Sequence, residues 1–177
     1  MKKYFYYFIL ILVIFLIFLL QSSVLISGNF AHNLILLPLI VGFIFAFEKK
    51  TKTAIFFVVF SGYLLDLISF LPFGVITFSY LSAILIYLFF QTKFFKNKAL
   101  HAILINSAVA MVGYELIFIG TTYLLKSLNF IVLTSFNLKT YFIFSLEQIL
   151  FQILLIGVVF WLLRFLQNRL SFRANNL

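Results

Sequence analysis

The chain has 177 residues, 65% of them hydrophobic and 10% charged, with a mean hydropathy of +1.21. A water-soluble globule of this length keeps a large exterior and cannot hide that much apolar surface, so composition excludes a soluble domain and makes lipid the solvent. Cysteine is absent, which removes disulfides and thiolate chemistry, and the net charge of +9 sits in short loops rather than on a long basic face, which argues against nucleic acid as a partner.

Six apolar segments approach the ~20 residues that a bilayer requires. The first runs from Tyr4 to Leu20 behind Lys2 and Lys3. It is longer than the ~7–15-residue core of a signal peptide and lacks a clean small-x-small cleavage site, so a retained helix is expected. The second, Leu34–Phe47, is short, extends backward to Phe30 if needed, and holds Pro38. The remaining four are Thr53–Leu71, Val75–Gln91, Leu100–Leu125 and Tyr141–Leu163. Threading six spans puts Lys2, Lys3, Lys49, Lys50, Lys52, Lys93, Lys96, Lys98, Arg164, Arg169 and Arg173 on one side, and only Lys126 and Lys139 on the other. Positive charge marks the cytoplasmic side, so both termini are expected there. The outer connections, Gln21–Asn33, Pro72-Phe73-Gly74 and Lys126–Thr140, are too short to fold as domains. The expected architecture is all-α: one polytopic membrane domain spanning residues 1–177, a six-helix transmembrane bundle.

The hairpin between the third and fourth spans carries the most informative pattern, Gly62-x-x-x-Asp66-x-x-Ser69-x-x-Pro72-Phe73-Gly74. Gly62, Asp66 and Ser69 stand at i, i+4 and i+7 and share one helix face. A carboxylate at membrane depth costs roughly 2.5–3.5 kcal/mol on insertion scales, so Asp66 is expected to face protein and to have a partner or a use. A hydroxyl of the fourth span, such as that of Tyr80, is the expected partner, or else a second chain. Pro72 and Gly74 break the helix where the chain turns back.

Two other acids lie within spans, Glu115 in the fifth and Glu147 in the sixth, both toward the outer half. Either they accept hydrogen bonds that hold helices together, or they line a shared polar cavity or partner patch with Asp66. Glu48 reads as a solvated partner for neighbouring lysines. Ala102, Asn106, Ala110, Gly113 and Gly120 form a small-residue stripe for close helix contact, with Glu115 off the stripe beside Met111. Ser145, Gln148 and Gln152 form a polar seam beside Glu147. Amides at such positions suit interhelical hydrogen bonds better than catalysis. There is no H-E-x-x-H, no phosphate-binding glycine loop and no G-x-S-x-G turn, and His32 and His101 lie apart from each other and from any acid at ligand spacing. No catalytic, cofactor-binding or metal-ligating residue is expected.

Gly62-x-x-x-Asp66-Leu67-x-Ser69-x-x-Pro72-Phe73-Gly74 followed by Tyr80 resembles the signature of the MreD family of bacterial rod shape-determining membrane proteins. Gln21-Ser22-Ser23, the chain length and the charge pattern are similar to that family too, the match lying mainly within residues 20 to 90. Pro38 departs from the pattern, since it lies inside the expected second span where the family more often has a proline at its start. The resemblance implies a multi-pass protein of the bacterial cytoplasmic (inner) membrane that binds and positions partners in cell-wall elongation and has no catalytic activity. The implied partners are an MreC-like bitopic protein, a RodA-type synthase with its class B transpeptidase, and MreB-like filaments. The implied functional residues are Gly62, Asp66, Ser69, Pro72, Gly74 and Tyr80, partner-binding or fold-defining, with Glu115, Glu147 and Gln148 as further intramembrane polar groups. It also implies a fold similar to the substrate-binding subunits of energy-coupling-factor vitamin transporters, which makes such a subunit the alternative. Those subunits commonly carry an Ala-x-x-x-Ala motif in the first helix, whereas residues 1–27 here contain neither Ala nor Gly.

Overall fold

The computed structural model describes residues 12, 15–17, 19, 21, 36–69, 71–94, 100–128 and 138–174, with side chains left aside at residues 100, 138–141 and 163–174. Most of the first span, Ser22 and Ser23, His32 and the tip of the Lys126–Thr140 connection lie outside the described residues. Five continuous helices follow in chain order: α1 (Leu37–Phe47), α2 (Thr51–Ile68), α3 (Val75–Lys93), α4 (Leu100–Ser127) and α5 (Leu138–Ala174). No strand occurs among the described residues, and residues 12, 15–17, 19 and 21 of the first span are helical. Among the described residues, four stretches, within α2, α3, α4 and α5, are long and apolar enough to cross a membrane. The described residues therefore form an all-helical, multi-pass membrane bundle.

The second expected span is helical from Leu37, and its expected start at Leu34 lies outside the described residues. Its described helix starts at Leu37 and covers 11 residues, about 16 Å at 1.5 Å per residue, short of a bilayer crossing. Pro38 stands in its first turn, so it opens this helix rather than interrupting it. Proline is favoured there because its missing N–H would be unpaired in any case. Most other boundaries shift by a few residues: α2 runs Thr51–Ile68 instead of Thr53–Leu71, and α3 and α4 each run two residues further; α5 starts at Leu138 instead of Tyr141 and continues well past Leu163 to Ala174.

Antiparallel hairpins set the layout. Lys49 takes a left-handed φ of 64° at the end of α1, and the amides of Lys49 and Lys50 return to the carbonyls of Ala46 and Phe45 at 3.0 Å each. This closes the helix and reverses the chain into α2. Glu48 pairs with Lys50 at 2.8 Å on the surface of that turn, as its neighbours suggest. Such an exposed pair adds little stability. Helix α5 runs parallel to α1, because Gln152 meets Leu36 at one end and Phe160 packs on Phe47 at the other, ring centroids 5.1 Å apart.

Lipid tails are as apolar as Leu, so helix association here depends on close packing rather than on expulsion of water from apolar surface. Leu39 and Phe43 of α1, Phe57 and Val58 of α2, Ala83, Ile84 and Tyr87 of α3, Ile103 and Met111 of α4, and Ile156 of α5 are fully buried together. Phe43 and Tyr87 stack with centroids 4.7 Å apart, and Tyr80 lies against Tyr114 at 5.7 Å. The small-residue stripe of α4 holds over Ala102, Asn106 and Ala110, all buried, and at Gly113, where an added Cβ would collide with Ile86 of α3. It stops there: Gly120 is exposed, with nothing within 4 Å of a Cβ built on it.

Candidate functional site

Helix α3 begins at Val75 behind Gly74, which adopts φ +99° and ψ −14°. Glycine suits this left-handed conformation because it has no Cβ to clash. It also has no side chain with which to cap the helix it precedes, and no capping bond is made from that position. The first turn of any helix leaves four N–H groups without intrahelical acceptors, a heavy cost in a bilayer that offers no water.

Asp66 supplies the missing cap from the neighbouring helix. Its Oδ1 accepts the N–H of Ile76 at 2.9 Å, and its Oδ2 accepts the N–H of Thr77 at 2.9 Å and the Thr77 hydroxyl at 2.5 Å. Ile76 and Thr77 are the second and third residues of α3, the positions whose amides an N-cap side chain ordinarily serves. The carboxylate also sits at the positive end of the α3 dipole. Asp66 is 4% exposed, so it faces protein as expected. A hydroxyl of the fourth span is a partner, as expected, but it is that of Thr77, joined by two amides; the Tyr80 hydroxyl is buried with no hydrogen bond among the described residues. Tyr80 contributes its ring instead, which lies against Gly62 and Tyr114. A main-chain N–H pair at a helix start competes better for a carboxylate than one phenol does, because it offers two fixed donors and a favourable dipole.

The other motif residues serve the same junction. A Cβ on Gly62 would stand 2.9 Å from the Thr77 Cα, so glycine there lets α2 and the first turn of α3 approach closely enough for Asp66 to reach across. Ser69 leaves α2 with extended angles, φ −76° and ψ 151°, and its hydroxyl donates to the Asp66 carbonyl at 3.2 Å. Pro72 and Gly74 then complete the turn, with the Phe78 N–H returning to the Gly74 carbonyl at 2.9 Å. Tyr63 and Phe73 pack edge to face over the turn, with centroids 5.3 Å apart. Gly62, Asp66, Ser69, Pro72, Gly74 and Tyr80 thus converge on one hairpin, and Thr77 belongs with them. The sequence signal for Thr77 is its place as third residue of the helix that Gly74 opens.

The start of α1 is capped in the same manner by amides. The Gln152 Oε1 accepts the Leu36 N–H at 3.0 Å while its Nε2 donates to the Leu36 carbonyl at 2.9 Å. The Gln21 Oε1 accepts the Leu37 N–H at 3.2 Å. Both glutamines are buried, at 0% and 2% exposure. Gln152 thereby ties α5 to α1, the interhelical role expected of amides in the α5 seam. Ser145 is buried beside it in the same helix face, and Gln148 is half-buried.

The remaining acids differ from each other in burial. Glu115 is buried at 5% exposure, on the same packed face of α4 as Met111 and Tyr114, so it lies with the core and not off the contact surface. Glu147 is exposed. Five residues at 100° each carry Gln152 well around the helix from Glu147, so the amide faces the bundle and the acid faces away. Glu147 therefore does not share an interior cavity with Asp66. An apolar groove of about 650 Å³, lined by Lys52, Ile55, Phe56, Val59, Phe60 and Tyr63, runs along one face of α2. His101 is exposed at the start of α4. Comparison with protein-family models, with curated proteins and with solved structures finds no match to this chain.

Proposed function

We propose that the protein is a non-catalytic membrane scaffold of the bacterial wall-elongation machinery, similar to the MreD family, which binds and positions other membrane proteins. The observation that carries this reading is the segment Gly62–Tyr80. Each residue that resembles the family signature has a distinct task in one hairpin: close approach, cap, helix exit, turn or ring packing. That division of labour makes the signature fold-defining, a device that sets the relation of two membrane helices and so the surface they present to partners. Its acid is spent on capping amides, which supports a structural assignment over a proton-transfer one. In this reading the termini are cytoplasmic, the partners are an MreC-like bitopic protein with RodA-type synthase, class B transpeptidase and MreB-like filaments, and the bundle has six spans.

Depletion from a rod-shaped host tests the proposal. Round, widened cells are the expected result, with a bitopic partner recovered on co-purification in mild detergent. Normal rods after depletion, together with sub-micromolar binding of one vitamin, would replace it with the transporter-subunit alternative.

A further inference from the structure

Helix α5 is held less tightly than its neighbours: 17% of an 18-residue apolar stretch within Phe142–Leu162 is buried, against 33–44% for such stretches in α2, α3 and α4. Ile143, Glu147, Leu150, Leu154, Val158 and Trp161 form one exposed stripe along it, within about 80° of arc at 100° per residue. Five of the six suit lipid. Glu147 does not: it stands six residues inside the apolar run Tyr141–Leu163, about 9 Å from its start at 1.5 Å per residue. No hydrogen bond or ion pair satisfies its carboxylate among the described residues; Ser145 and Gln152 of the same helix turn toward the bundle, and Gln148 is half-buried. An ionisable group at that depth ordinarily faces protein or a water-filled cavity, with a partner.

We propose that this stripe is a docking face for a single transmembrane helix of a different protein, one that carries a Lys or Arg at the depth of Glu147. The inference rests on the scaffold reading and names the face that such a scaffold would use. Charge decides the occupant. A second copy related by a two-fold axis along the membrane normal would set Glu147 against Glu147 at equal depth, a like-charge contact that opposes association. Among the described residues Lys49, Lys50, Lys52, Lys93, Lys126 and Lys139 stand in turns or at helix ends and Phe142–Leu162 contains no Lys or Arg, so they offer no base at the depth of Glu147. A basic residue on a foreign helix is itself unfavourable in lipid, so pairing relieves both groups at once and fixes the register of the two helices.

The test uses the full chain, donor-labelled, in vesicles of phosphatidylethanolamine and phosphatidylglycerol. The probe is an acceptor-labelled Leu/Ala transmembrane peptide with one lysine about 9 Å below the interface, and the control is the same peptide without lysine. Energy transfer should show the lysine peptide binding about five- to thirtyfold more tightly than the control, the range of polar contacts between model membrane helices. Glu147→Leu and Glu147→Gln should each remove that preference and Glu147→Asp should keep it. A photocrosslinker at Leu150 or Leu154 should capture the peptide, and one at Phe56 on α2 should not. Equal binding of both peptides, a preference that survives Glu147→Leu, or self-association of the labelled chain that Glu147→Leu abolishes would each overturn the proposal. These outcomes are separate from the depletion phenotype: normal rods would remove the scaffold reading and leave the peptide result standing.

Discussion

Substitution of Asp66 tests whether a carboxylate on α2 holds the start of α3. Asp66→Leu strips acceptors from the N–H groups of Ile76 and Thr77 and from the Thr77 hydroxyl. The hydroxyl can turn back to a carbonyl of its own helix, so the two amides dominate the loss. Hydrogen bonds to a charged group are worth about 1.5–3 kcal/mol each, which sets the gross loss at about 3–6 kcal/mol. Relief of the buried carboxylate offsets part of this. Much of that relief cancels, because the separated helix carries the same acid in the same bilayer at about 2.5–3.5 kcal/mol. A net destabilisation of about 2–5 kcal/mol follows for Asp66→Leu. Asp66→Asn keeps one carbonyl acceptor but sets its NH₂ against the second amide, so about 1–2 kcal/mol is expected. Reversible unfolding in mixed micelles measures both. Amide exchange at Ile76 and Thr77, fast in Asp66→Leu and slow in the unaltered protein, locates the effect. The reasoning fails if Asp66→Leu unfolds within about 0.5 kcal/mol of the unaltered protein, or if those two amides stay protected without the carboxylate.

Three further outcomes are expected. Gln152→Leu removes two hydrogen bonds to Leu36 and should cost about 1–3 kcal/mol in the same unfolding assay, with amide exchange at Leu36 rising. Gly62→Ala must push α2 away from Thr77 and should cost about 1–3 kcal/mol, whereas Gly120→Ala meets open space and should be neutral or stabilising by up to about 1 kcal/mol. Phosphatase reporters fused near Asn29, Phe73 and Thr134 should be active and those near Lys50, Asn97 and Asn175 inactive; activity at Asn97 would overturn the six-span threading.

Much of the architecture was legible in the residues alone. Apolar runs near bilayer length are helices because a bilayer leaves the backbone no other local way to satisfy its N–H and C=O groups, and α2, α3, α4 and α5 follow from that rule within a few residues at most of their ends. Asp66 faces protein for an equally local reason, since an acid with Gly62 on its face has one tolerable direction in lipid. Pro72 and Gly74 announce the turn through their own backbone limits. Tertiary structure alone decided the partners. That Asp66 serves Ile76 and Thr77 instead of Tyr80 depends on how closely Gly62 lets two helices approach, a distance that no spacing rule contains. That Gln152 reaches Leu36, 116 residues away, depends on α5 lying parallel to α1. Glu115 and Glu147 look alike in sequence, each a lone acid in an apolar run. One is buried and the other exposed because burial is a property of the neighbouring helices, and only their packing determines which face of a membrane helix meets protein and which meets lipid.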